Sequence, residues 1–258
     1  METRIIQSSY LDIYKKKQPI SISKHFNKVK SIEMDSHAFG YNISNSAVHS
    51  SMIEGNPIDF DSYLNFSASG MNTKSKSYLE IEDLINAYRY ACKNKLSYQG
   101  VLYAHGLLSK TIIEETKYNG NLRDKDVYVF SQGIKKFTGA SIDVLKNEMD
   151  IFFEDISILL SSEMSITEVF YFASMIHLVF VQIHPFADGN GRTARLLEKW
   201  FLAEKIGEKA CFIQSEKLYQ SRLNAYYKNV DLGTTYQTIN YDLSLPFLLM
   251  LPMALRLK

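Results

Sequence analysis

Residues 165–183, SITEVFYFASMIHLVFVQI, leave this chain few folds to choose from. At helical spacing the stretch is apolar nearly all round, with no polar stripe to turn toward water. A helix of that kind has to be surrounded by other elements. Ser165 and Glu168 stand three apart at its start, the spacing of a capping box. The chain is therefore expected to be a bundle built around this helix.

The flanking sequence supplies the other helices. YLEIEDLINAYRYACKN places Ile81, Leu84, Ile85, Tyr88 and Cys92 at helical spacing, and YQGVLYAHGLLSK continues as a second helix. SIDVLKNEMDIFFEDISILLSS is amphipathic. RTARLLEKWFLAEK and SEKLYQSRLNAYYKNV read as two more helices. With only 12 glycines and 5 prolines in 258 residues, the composition also leans helical. The polar run SASGMNTKSKS, 67–77, reads as a loop. YNGNLRDKDVYVFSQG changes character: turn residues, a charged tip, and the alternation Val127, Tyr128, Val129, Phe130 predict a short β-hairpin. The expected fold is mostly α, a helical bundle with one hairpin beside its core and no internal repeat.

Lys and Arg number 29 against 28 Asp and Glu, a net charge of +1, so nothing global attracts nucleic acid or an anionic membrane. Anion binding has to be local. Cys92 and Cys211 are far apart in sequence and read as separate buried thiols of a reducing compartment, which suits a cytoplasmic protein. The N-terminal METRIIQSSYLDIYKKK has no signal-type apolar core. LSLPFLLMLPMALRLK at the other end is apolar but too short for a span, which takes about 20 residues. It is expected to pack on the core or in a homodimer contact.

Residues 184–195, HPFADGNGRTAR, carry the chemistry. Gly189, Asn190 and Gly191 form a turn at the start of the next helix, where free backbone N–H groups and the helix dipole favour an anion. The Asn190 side chain could add an amide donor. Arg192 and Arg195 share a face in the first helical turn, where cations oppose the dipole unless an anion compensates. Their planar forks suit phosphate oxygens. Asp188 beside phosphates calls for a cation, and Mg²⁺ takes one or two carboxylates with phosphate oxygens. His184, after the buried helix and before Pro185, is a candidate base for an attacking hydroxyl. Phe186 reads as an anchor. The combination points to a site that handles phosphate, with room for more than one phosphate group.

This stretch resembles the signature of the Fic family, HxFx(D/E)GNGRxxR, with every fixed position filled. GNLR at 120–123 is similar to the family's entry to its hairpin flap, with Leu122 departing at the aromatic position. The resemblance implies a transferase that moves AMP from ATP to a Ser, Thr or Tyr hydroxyl of a target protein. It implies His184 as the general base, Asp188 positioning Mg²⁺, and Gly189, Asn190 and Gly191 cradling phosphates. Arg192 would hold the α- and β-phosphates and Arg195 the γ-phosphate. The flap, with Leu122, Arg123, Val127, Tyr128 and Val129, would hold the target segment by strand-like pairing. Tyr226 and Tyr227 resemble aromatics on the adenine side, where core packing is the competing reading.

SAVHSSMIEGNP puts Ser50 and Glu54 on one face if helical, with Gly55 and Pro57 where a helix stops. Beside the signature it resembles the family's inhibitory motif, (S/T)xxxE(G/N). The resemblance implies that Glu54 pairs with Arg195 and displaces the γ-phosphate within the same chain. The chain is then expected to divide into an N-terminal helical region, 1–77, a Fic core, 78–230, and the apolar segment 231–258.

Other readings share these residues. Removal of AMP from a modified target would use the same site, with Glu54 helping to activate water. A kinase-like transfer is disfavoured because Gly191 stands where the related Doc pattern has lysine. A nucleotide-binding regulatory module without turnover is disfavoured by the intact His184. No helix-turn-helix follows the core, which argues against DNA binding. His177 lies seven residues before His184 and reads as a core or cleft histidine, since no third metal ligand of suitable spacing is visible. His105 reads as a satisfied packing residue.

Overall fold

The computed structural model describes residues 2–30, 35–72, 74–131 and 134–257. Thirteen helices and one hairpin appear among them. The N-terminal helices are α1 (Leu11–Lys16), α2 (Ile22–Lys30), α3 (Ser36–Ile53) and α4 (Phe60–Ser69). Next come α5 (Lys76–Lys93), α6 (Tyr98–Leu108) and the strands β1 (Tyr128–Ser131) and β2 (Ile134–Thr138). The central helices are α7 (Ile142–Ser161), α8 (Ile166–Ile183) and α9 (Asn190–Ile206). The chain ends through α10 (Ser215–Ser221), α11 (Leu223–Val230), α12 (Leu245–Leu248) and α13 (Met250–Met253). The mostly α architecture with one antiparallel hairpin is the one expected from the sequence.

Helix α8 is the axis of the bundle. Every residue from Val169 to Phe180 is buried. By length and composition α8 could cross a membrane, but 78% of it is buried inside the fold, as befits a core helix. The capping box forms: the backbone N–H of Ser165 donates to Glu168 Oε2 at 2.8 Å, and the Glu168 N–H donates back to Ser165 Oγ. Helix α9 packs along α8, and its Leu197, Trp200 and Phe201 join the same core. Helices α5 and α6 form an antiparallel pair against α9, and Trp200 Nε1 donates to the Asn94 carbonyl at 2.7 Å.

Helix α3 lies between α5 and α10. It buries small polar residues, Ser44, Asn45, Ser46, Ser50 and Ser51, together with Ile43, Ala47 and Val48. Small side chains let its backbone approach its neighbours. Gln214, just before α10, pins it by donating to Asn42 Oδ1 at 3.0 Å and accepting from Ser46 Oγ.

Two sequence readings need correction. SEKLYQSRLNAYYKNV is two helices, interrupted at Arg222, whose φ of −123° and ψ of 39° leave the helical region. Its backbone N–H bonds the carbonyls of Leu218 and Tyr219, tightening the end of α10. The two cysteines are not separate: Cys92 Sγ on α5 and Cys211 Sγ in the turn before α10 are 2.6 Å apart, both as free cysteines. The apolar C-terminal run folds into α12 and α13, with Phe247, Leu248 and Leu251 buried in the core.

The hairpin pairs Tyr128 with Thr138 and Val129 with Phe137, then Phe130 with Lys135. The skipped Lys136 is a bulge, which twists the ribbon. The charged run 123–126, expected at the tip, precedes β1 instead; residues 132 and 133, which join the strands, lie outside the described residues. The hairpin's base is strapped to the end of α8: Ala140 N–H donates to the Ile183 carbonyl at 3.1 Å.

Candidate active site

The loop between α8 and α9 brings the candidate residues together. Helix α8 stops at His184, which adopts φ 55° and ψ 59°. A left-handed conformation at a non-glycine residue is uncommon and concentrates at functional positions. Pro185 then bars any return to the helix. The turn is braced from inside. Asn190 Oδ1 accepts from the Phe186 N–H and its Nδ2 donates to the Phe186 carbonyl, both at 2.9 Å. The Asn190 amide therefore holds the loop closed, with its oxygen and one of its two N–H donors engaged.

His105 on α6 supports the loop from below. Its ring stacks on Phe186 with centroids 3.5 Å apart. Its Nε2–H donates to the Asp188 carbonyl at 3.0 Å, and its Nδ1 accepts from the Gly120 N–H at 3.1 Å. Burial drives its pKa down to about 4, which keeps the ring neutral for this donor–acceptor role. The packing histidine of the sequence reading is thus a strut between the loop and the entry to the hairpin.

The start of α9 has the features of an anion site. Gly189 at its N-cap has φ 79° and provides no side-chain cap. A Cβ there would press on Leu108, His105 and Ile112. At Gly191 a Cβ would stand 2.5 Å from Glu54 Oε1 and 3.2 Å from Arg195 Nη1, so only glycine lets these charges approach the backbone. Arg192 is buried, and its Nε has no partner among the described residues. An uncapped helix start beside an orphaned guanidinium nitrogen fits phosphate oxygens.

Asp188 stands at the rim with its side chain 62% exposed and Arg192 Nη1 3.9 Å away. No cluster of three or more His, Cys, Asp or Glu that could hold a metal exists among the described residues. An exposed single carboxylate next to a phosphate cradle nevertheless fits Mg²⁺, which needs few protein ligands when phosphates complete its shell. A cavity of ≈ 300 Å³ opens here, bordered by Glu54, Asn56, Lys76, Glu80, Asp188 and Arg192.

Arg195 is fully buried and completely engaged with α3 and α11. Its Nε donates to Ser50 Oγ at 2.8 Å, and its Nη2 donates to the Ser50 carbonyl at 3.0 Å and to Glu54 Oε1 at 2.6 Å. Nη1 donates to the Tyr226 hydroxyl at 3.1 Å. Glu54 caps the end of α3, with its side chain 29% exposed. Gly55, at φ 92°, turns the chain away. Asn56 then ties that turn to α5 by donating to the Ser77 carbonyl. Burial pushes the Glu54 pKa up, but the charges of Arg195 and Arg192 and the Arg195 hydrogen bond outweigh it, leaving the carboxyl below its ordinary range. Burial likewise opposes the Arg195 charge, yet Tyr226 and Glu54 hold its pKa above the usual value.

His184 is partly buried, and its Nδ1–H donates to the Val181 carbonyl at 3.1 Å. Nε2 is left as the basic nitrogen. Burial, reinforced by the nearby Arg123 charge, lowers its pKa; the Val181 bond and the Glu54 and Asp188 carboxylates act the other way and are weaker. The ring is accordingly neutral at pH 7.

Several expected residues go elsewhere. Arg123 is 3% exposed, and its guanidinium donates to the carbonyls of His184, Lys125 and Ala140. It clamps the hairpin to the loop and does not face a target, a correction to its grouping with the flap. Leu122 packs against the core beside it. Val127 accepts from the Gly139 N–H at the hairpin's base, Tyr128 is exposed, and Val129 follows it on β1, opposite Phe137. Tyr226 is buried with its hydroxyl on Arg195 and His177, so it offers no ring to an adenine, which corrects that expectation. Tyr227 is 47% exposed and donates to the Ile53 carbonyl at 2.7 Å, next to the end of α3. No sequence signal pointed to the clamp or the strut, because both depend on backbone carbonyls that only the fold brings near.

Known proteins resemble this chain over part of its sequence and in its fold. Residues 95–202 match the Fic/DOC family. A 39-residue stretch is 56% identical to a protein adenylyltransferase Fic from Nematostella vectensis, covering 15% of this chain and 9% of that protein. The crystal structure of a Fic family protein from Desulfovibrio desulfuricans G20 superimposes with a TM-score of 0.77 at 18% identity, over 99% of this chain and 74% of that one. A Fic domain containing signaling protein from Bacteroides thetaiotaomicron VPI-5482 gives a TM-score of 0.67 at 19% identity, over 91% and 95% of the two chains. Fic-1 (aa134–508) from C. elegans gives 0.61 at 20% identity, over 97% and 68%. These structures share the fold.

Proposed function

We propose that this Fic/DOC family domain protein transfers AMP from ATP to a hydroxyl of a target protein and is restrained by its own Glu54. The target oxygen attacks the α-phosphorus while its proton passes to His184 Nε2, and the bond to the β-phosphate breaks to release pyrophosphate. A neutral His184 at pH 7 supports the base role. The uncapped α9 start, with Arg192, would receive phosphate oxygens. Asp188 would hold Mg²⁺, which supplies neutralisation of phosphate charge. The outer edge of β1, which pairs with no strand other than β2 among the described residues, suits an extended target segment added by backbone pairing.

The observation that carries this reading is the 2.6 Å contact of Glu54 with Arg195 at the phosphate end of the site. A nucleotide whose terminal phosphate needs Arg195 must compete with a carboxylate already bonded to it. A charge-assisted hydrogen bond of about 1.5–3 kcal/mol corresponds to roughly ten- to a hundredfold in occupancy. The test is transfer of label from α-³²P-ATP with Mg²⁺ to protein. Glu54→Gly should raise labelling by about tenfold or more over the unaltered chain, by the same estimate, and Glu54→Gly/His184→Ala should abolish it. Labelling that survives the loss of His184 would sink the base assignment. ATP binding by Glu54→Gly without labelling, with release of AMP from a modified protein by the unaltered chain that keeps Glu54, would transfer the site to AMP removal.

A further inference from the structure

Behind Arg195, on the side away from Glu54, lies a closed polar chain that the reading above does not use. His177 on α8 is fully buried. Its Nε2 is 3.1 Å from the Tyr226 hydroxyl and its Nδ1 is 2.9 Å from Glu198 Oε2. Glu198 on α9 is also fully buried, and its Oε2 accepts from the Tyr219 hydroxyl at 2.8 Å. Glu198 Oε1 has no partner among the described residues. Phe247 of α12 closes the group, its ring centroid 4.9 Å from that of His177.

Arg195 fixes every direction in this chain. A guanidinium only donates, so the Tyr226 oxygen accepts from Nη1. Tyr226 has one proton left to give, and His177 Nε2 receives it. Nδ1 of His177 therefore carries the ring's proton and donates to Glu198, as does Tyr219. Polarity runs one way, from Arg195 through Tyr226 and His177 to Glu198. A buried carboxylate with one oxygen unpaired is a poor stabilising device compared with an apolar side chain of similar size. A geometric role accounts for it better. Ser50 holds Nε and Nη2 from the side of α3, Tyr226 holds Nη1 from the other, and Nη2 is the nitrogen presented to Glu54.

We infer that His177 and Glu198, acting through Tyr226, are positioning residues that set the orientation of Arg195 and thereby how it engages an anion in the site. The inference rests on the reading of Arg195 as a phosphate ligand only for its functional consequence. Its first readout needs no nucleotide. The ¹⁵N signals of the Arg195 guanidinium, assigned by their loss in Arg195→Lys, should show separate Nη1 and Nη2 nitrogens in the unaltered chain. They should merge in His177→Phe, which keeps a ring but no acceptor for Tyr226, as the weakened hold on Nη1 speeds exchange of the two nitrogens about the Nε–Cζ bond. His177→Gln, which restores an acceptor for Tyr226, should keep them separate. Tyr226→Phe, a smaller change, serves if His177→Phe does not fold, and should also merge them.

The second readout is the affinity of ATP with Mg²⁺ in the Glu54→Gly background. Loss of the relay should weaken it by about tenfold, the scale of one hydrogen bond, and His177→Gln should recover most of that loss. Separate guanidinium signals together with unchanged affinity in folded Tyr226→Phe would overturn the inference. Merged signals in a chain that binds no ATP even without Glu54 would uphold the positioning role and overturn the nucleotide reading.

Discussion

His184 takes its properties from three neighbours of different kinds. The helix end gives it a left-handed backbone, Val181 takes one ring proton, and burial with Arg123 disfavours a second. A base with a depressed pKa is lost only when pH falls through that lower value. The labelling rate of Glu54→Gly should therefore hold as pH drops through 6.5, the ordinary histidine value, and fall only below it. Glu54 itself raises the His184 pKa, so its removal moves the acid limb further down, not up. A pH–rate profile locates the limb; a midpoint at or above 6.5 would contradict the geometry. The 184–195 motif was readable residue by residue because its chemistry is local. The partners that tune it were not. Asn190 reads as an anion donor until the loop folds and engages its amide, and Tyr226 reads as an adenine-side or core aromatic until α11 is laid against α8 and α9.

At the level of elements, the site is a junction of ends: the end of α8, the start of α9, the base of the hairpin and the end of α3. Ends have unpaired backbone groups; neighbours satisfy those of the α8 end and the hairpin base, while the start of α9 has no side-chain cap. Arg123 bonds the carbonyls of His184, Lys125 and Ala140 at once, and its backbone N–H donates to Pro185. Arg123→Ala removes three charge-assisted donors and leaves buried carbonyls without them. Stability should fall by on the order of 3 kcal/mol, seen as a lower urea midpoint. Labelling by Glu54→Gly should fall with it even at temperatures where the chain stays folded, since the hairpin and His184 lose their common tie. Unchanged stability would mean the hairpin is held by β2 and the Thr138–Thr235 bridge instead. The hairpin and most helices followed from periodicity. Helix α3 did not, because the face it buries is made of serines, asparagine and alanine, which carry no apolar period. Only the SSMIEG motif gave its end away. The break at Arg222 was equally hidden, since both halves share a helical pattern.

For the molecule as a whole, the proposed restraint raises the question of how an inhibitory element that is also part of the core could be relieved. Helix α3 is not an arm laid over the site. Nine of its residues are buried, and its Ile43, Ala47, Val48 and Ile53 belong to the same core cluster as α8 and α9. Gln214 fastens its first half, and Arg195 and Asn56 fasten its end. Undocking it would expose that core, at a cost close to global unfolding. Glu54 differs: it caps α3, its side chain is partly open to solvent, and one hydrogen bond to Arg195 holds it. Relief should therefore be a movement of the Glu54 carboxylate and the turn at Gly55, with α3 staying in place. Native-state hydrogen exchange tests this. Amides from Ile43 to Ser51 should exchange with a free energy equal to that of α8, near the global value, both without nucleotide and with ATP and Mg²⁺ on Glu54→Gly. If α3 instead exchanges through a low-energy opening that ATP promotes, inhibition is released by the whole helix. The interface of α3 with α5 and α10 would then be the switch, in place of the single contact at Arg195.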